Sequence, residues 1–189
     1  MPQSTHLSSN YTVAQYEKLE TAQPPNKAEI AKFFVERFTE RYITPINSAG
    51  PKQKHGFCTM AVSCLMVEAL QSFWCGWPHT KDRKSKLAFC QFFSRCPRFH
   101  SLLGHEPDFY KHVRCGILHQ AETTGGWTIS RHKGALLFDP SGPAINATKF
   151  HEALSFELTD YANLLKSEDW NSVRWQKFRD KMRAICKNC

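Results

Sequence analysis

The sequence predicts a mainly α-helical domain, a bundle of five or six helices with a small β-hairpin inserted after the fourth. Three observations predict it. Apolar residues recur at helical spacing in several long stretches between 27 and 187, and the ends of those stretches carry capping and breaking residues. One stretch, 127–138, instead alternates with the period of a strand.

Residues 1–26 are polar and end in Gln23-Pro24-Pro25-Asn26, a breaker, so they are expected to form a flexible arm ahead of a single domain over 27–189. Asn26 suits an N-cap. From Lys27 to about Ile46 the apolar positions Ile30, Phe33, Phe34, Val35, Phe38 and Ile43 recur at helical spacing, and Gly50-Pro51 closes the segment. The second helix, 57–76, is apolar nearly all round and belongs at the centre. A basic loop over 77–86 leads to a short helix with Leu87, Phe89, Phe92 and Phe93, which Pro97 breaks. Glu106-Pro107-Asp108 opens the fourth helix, acidic and proline-bearing in its first turn, and this helix is expected to run to Glu122. Trp127–Ser130, the turn His132-Lys133-Gly134 and Ala135–Phe138 then read as a β-hairpin. Asn146 can cap a helix running to Lys166, and a basic helix over 168–187 ends the chain.

The chain has 189 residues with 25 Lys+Arg against 17 Asp+Glu, a formal charge of +8, which points to a polyanionic partner. Its length suits one domain. The most apolar run is interrupted by Ser63, Glu68, Gln71 and Ser72, so no membrane span is expected, and the first 25 residues lack the pattern of a secretory signal. A cytoplasmic location follows as the expectation, and the eight cysteines are then thiols. Cys186 and Cys189 form a C-x-x-C with no second ligand pair beyond it, which fits a frayed end better than a zinc site. Cys58, Cys64 and Cys90 fall in apolar helical stretches and are expected to pack as small hydrophobes.

Polar chemistry is concentrated in the fourth helix, over Tyr110–Glu122. On an ideal helix His112, Cys115 and His119 project within roughly 60° of one another, a three-ligand face for zinc with Glu122 one turn on as oxygen ligand or base. The same helix holds Arg114-Cys115-Gly116-Ile117-Leu118-His119, an Arg and a His separated by four residues. With this Arg-x-x-x-x-His element the chain resembles the HEPN superfamily. The resemblance implies a small helical bundle and a metal-independent endoribonuclease, often a toxin or antiviral defence effector. It also implies a homodimer whose composite cleft is lined by Arg114 and His119 of both copies, without a cofactor. Two positions depart from the family pattern. Cys115 stands where members commonly carry Asn or Asp, and Ala121 stands where one antitoxin-paired subgroup carries a tyrosine.

The two residue types suit RNA cleavage by 2′-OH attack. A histidine titrating near neutral pH takes the nucleophile's proton or supplies one to the leaving oxygen, and a guanidinium stabilises the charge gathered in the transition state. Residues five apart point about 140° apart on an ideal helix, which favours a site completed by a twofold mate. Glu68 is a carboxylate on a helix that reads as buried, so it needs a cation, and Arg114 is the favoured one. His112, Glu122 and Gln120 are supporting candidates. For RNA contacts the candidates are Lys81, Arg83, Lys84 and Lys86, with Trp127 as a stacking platform. The expected partners are RNA, a second copy of the chain and an antitoxin or regulatory protein. Two other functions stay open: a non-catalytic RNA-binding or dimerisation module of the same fold, and a zinc-dependent hydrolase using His112, Cys115 and His119.

Overall fold

The computed structural model describes residues 4–50, 52–79 and 84–189. Helix α1 spans Val13–Thr21 and starts in a capping box: the Thr12 hydroxyl accepts from the Gln15 backbone while the Gln15 side chain accepts from the Thr12 N–H. Helix α2 spans Lys27–Phe38, continues through a π turn (Thr39–Ile43) and ends in Thr44–Asn47. Asn26 caps it, accepting from the Glu29 N–H at 3.1 Å. Then come α3 (Gly56–Cys75), α4 (Ser85–Arg95), a 3₁₀ turn (Pro97–Leu102) and a composite α5, formed by Glu106–Asp108, Phe109–Cys115 and Gly116–Gln120. Three short strands follow, β1 (Thr128–Ser130), β2 (Phe138–Asp139) and β3 (Ala144–Asn146). Helices α6 (Ala147–Ser167) and α7 (Val173–Lys187) complete the chain.

Being apolar nearly all round, α3 takes the centre, packed by α4, α6 and α7. It is long and apolar enough to cross a membrane by length and composition, but more than half of it is buried inside this fold. A second group of rings fixes α5. Phe109 stacks on Phe150 of α6 at 5.4 Å and meets Phe93 of α4 edge-on at 5.2 Å. With Val113, also fully buried, it anchors the inner face of the helix that carries the Arg and His.

Two expectations are corrected. The described part of residues 1–26 is not a loosely held arm: Leu7, Val13 and Tyr16 are core residues, and Tyr11 and Tyr16 pack against Phe33. The arm's polarity hid a segment whose large apolar side chains Leu7, Tyr11, Val13 and Tyr16 face inward. Nor do 127–130 and 135–138 form a hairpin. β3 is the central strand, parallel to β1 (Ile129 opposite Ile145) and antiparallel to β2 (Phe138 opposite Ile145). Ile145 is fully buried, so the most apolar position of the three strands occupies the middle. Trp127 and Phe138 meet by stacking at 5.2 Å rather than through a ladder.

Candidate functional site

The site begins with an irregular helix. After the proline-bearing first turn, Phe109–Cys115 winds in π register, and the α register resumes over Gly116–Gln120. The helix ends at Gln120, not Glu122, because Ala121 adopts the left-handed conformation at φ 57°. The chain then folds back over the helix. A Cβ at Gly116 would lie 2.5 Å from the Glu122 carbonyl oxygen, and one at Gly125 would lie 2.5 Å from the His112 ring. Thr124 closes the return, its N–H donating to the His112 carbonyl at 3.0 Å and its hydroxyl bonded to His112 Nδ1 at 2.8 Å.

Arg114 and Glu68 meet across α5 and α3. Nε and Nη2 of Arg114 both lie 2.9 Å from Glu68 Oε1, and the Ser85 hydroxyl donates to Oε2 at 3.3 Å. The two side chains are 15% and 14% exposed, so the pair is neither buried nor screened like a surface pair. Burial alone would lower the Arg114 pKa, but the charge and hydrogen bond of Glu68 outweigh it and raise the value. The guanidinium also lies 5.6 Å from the Tyr110 ring. Tyr110 itself is raised, by burial first and then by its contact with Cys115. Behind them the fully buried Cys64 thiol is pushed far above its ordinary value, so it packs as a neutral group. Within the pair Glu68 engages the Nε–Nη2 edge of Arg114, and the Nη1 donors are not part of it.

His119 and Gln120 are exposed on the last turn, and among the described residues no hydrogen bond or ion pair holds the His119 ring. No hydrogen bond or ion pair joins it to Arg114. Glu122 is exposed and accepts from the N–H and hydroxyl of Thr123, a local turn. The zinc face is not assembled: among the described residues no three His, Cys, Asp or Glu side chains stand where one ion could be held. The π turn replaces the ideal-helix angles on which that face depended, and His112 is taken up by Thr124 and Gly125. Trp127 is no stacking platform for a base, since its ring is buried between Phe138 and Phe109. Lys81 and Arg83 lie outside the described residues. Lys84 sits 5.2 Å over the Trp77 ring, and Lys86 is exposed at the start of α4.

Ser85 and Tyr110 belong to this cluster and were not among the sequence candidates. Tyr110 could have been found as the residue one helical turn before Arg114, whereas nothing in the sequence points Ser85 at Glu68. On α7, some basic residues are spent on packing. Arg174 pairs with Glu168 at 2.7 Å and lies 4.4 Å over Trp74, and Arg179 lies 4.5 Å over Trp170. No family model, no curated protein and no solved structure matches this chain.

Proposed function

We propose that the protein is a metal-independent endoribonuclease that cleaves single-stranded RNA by 2′-OH transesterification, with Arg114 and His119 as its catalytic residues. One observation carries this reading: Arg114 is held in a fixed pose by Glu68, on the same helix whose last turn presents an unengaged histidine. His119 takes the proton of the 2′-hydroxyl or supplies one to the leaving 5′-oxygen. The Nη1 donors of Arg114 face the negative charge that gathers on the phosphorus oxygens, and Glu68 and Ser85 spare the guanidinium the entropy of finding its orientation. In one chain no hydrogen bond links the two side chains, so a twofold mate completes the cleft with its own copies. RNA is the substrate, the site needs no cofactor, and a toxin or antiviral effector held by an antitoxin or regulatory partner in the cytoplasm suits such an activity.

The test is a broad panel of RNAs incubated with the full chain with and without EDTA. Cleavage that survives chelation, leaves 2′,3′-cyclic phosphate ends and disappears in His119→Ala is the expected result. Retention of RNA with no cleavage anywhere in the panel would make the protein a binding module instead.

A further inference from the structure

Helices α2, α3 and α7 enclose a pocket of about 180 Å³, lined on α3 by Ala69, Ser72 and Phe73, within two turns of Glu68. Its polar lining is Arg37, Arg41, Tyr42, Ser72 and Lys181, and no acidic residue is among the described residues that line it. Nη1 of Arg37 and Nη2 of Arg41 both donate to the Leu7 carbonyl, at 2.5 and 3.0 Å, and Lys181 Nζ donates to the Pro78 carbonyl at 3.1 Å. These acceptors are neutral. Among the described residues none of the three cations makes an ion pair.

The acids nearest in sequence are used elsewhere. Glu36 accepts from Ser8 and Asn10, Glu40 accepts from the Ser9 N–H, and Asp180 pairs with Arg183 at 2.8 Å. Burial pushes the Tyr42 hydroxyl up and the Cys186 thiol up to about 11, so neither supplies a full negative charge at neutral pH, and Cys189 is an exposed thiol. The cost of this crowding is visible. The Arg37 pKa is drawn down to about 10, by burial first and the Arg41 charge second, and Lys181 is lowered by burial and then by Arg37.

We propose that this pocket seats one phosphate group, held by Arg37, Arg41 and Lys181 with the Tyr42 hydroxyl as a further donor. Ser72 lines the wall but spends its own hydrogen on the Ala69 carbonyl at 2.7 Å. A dianion offsets a positive charge that Cys189, Tyr42 and Cys186 offset only in part, and the two guanidinium groups suit tetrahedral oxyanions. At about 30 Å³ per water the pocket has the volume of about six waters, well below the about 300 Å³ of the smallest pockets that bury an organic ligand. The phosphate is therefore the recognised part, whether free or at the end of a nucleotide or RNA chain. The site uses no residue of the proposed cleavage reaction and stands or falls separately from it.

Thermal unfolding of the full chain tests it, with about 10 mM inorganic phosphate compared with chloride at equal ionic strength. The expected result is a Tm higher in phosphate by about 5 °C, with one phosphate bound per chain by titration calorimetry. Lys181→Met and Arg41→Gln, at less buried cations than Arg37, are expected to lose this shift, and in chloride to match or exceed the wild-type Tm because like-charge repulsion is relieved. A 5′-mononucleotide that binds at least as well as phosphate, beside its nucleoside that does not bind, assigns the phosphate to a nucleotide or RNA end. Phosphate tighter than the mononucleotide assigns it to the free ion. Equal shifts in wild type and both variants, no shift above chloride, or binding of the nucleoside would overturn the proposal.

Discussion

At the scale of single residues, Arg114 and His119 differ in how the fold holds them, and their variants should differ accordingly. His119 is exposed and unengaged, so His119→Ala is expected to abolish RNA cleavage while leaving the denaturation midpoint where it was. Arg114→Ala removes the cation from a part-buried carboxylate. It is expected to lose activity and also about 1–3 kcal/mol of stability, less than a fully buried pair would cost. Joining it to Glu68→Gln should return most of that stability and none of the activity; urea titration of the four proteins of the cycle measures the first part and an RNA-cleavage assay the second. His151 carries a separate prediction. It is buried on α6 with Nδ1 bonded to the Ser63 hydroxyl at 3.1 Å, and burial, only partly offset by the Ile43 backbone, lowers its pKa. The unfolded imidazole takes up a proton near its ordinary value of about 6.5 while the folded one does not, so the unfolded state binds more protons. Stability should therefore fall as pH drops below about 6.5, with a His151 share of at most about 1.4 kcal/mol per unit that is missing in His151→Asn.

At the scale of elements, the end of α5 offers the sharpest change. Ala121 holds the left-handed conformation that costs an L-residue with a side chain about 1 kcal/mol, so Ala121→Gly should stabilise the fold by up to that amount in chemical denaturation. Gly116→Ala should do the reverse, because its methyl meets a backbone oxygen that cannot move without unseating the Thr124–His112 bonds. Helices α2, α3, α4, α6 and α7 were readable because each carries apolar residues at helical spacing, and Asn26 and Asn146 marked two of the starts. Helix α1 was not, since it buries only Val13 and Tyr16, although Thr12 and Gln15 did spell its capping box. The sheet escaped because β3 is three residues long and its parallel partner lies beyond an intervening strand, where local alternation carries no information. Glu68 was legible as a carboxylate in need of a cation, whereas the π turn that dismantles the zinc face leaves no mark in residue spacing.

At the scale of the whole molecule, the N-terminal segment binds the rest together. The Leu7 carbonyl receives Arg37 and Arg41, the side chain is fully buried, and Tyr16 packs on Phe33. Removing residues 1–22 is expected to uncover this part of the core, so the truncated chain should show a lower Tm and bind a hydrophobic dye that the full chain does not. Asn146 makes the opposite end of the fold indivisible in a different sense. As the last residue of β3 and the N-cap of α6, it receives the Lys149 N–H on its side-chain oxygen at 3.2 Å and donates its amide to the His132 carbonyl at 2.8 Å. The end of β3 and the first turn of a 21-residue helix thus share one residue's bonds, so their openings are expected to be coupled. In hydrogen exchange, the amides of Thr128, Asn146 and Lys149 should report one opening free energy, and Asn146→Ala should lower it for all three together.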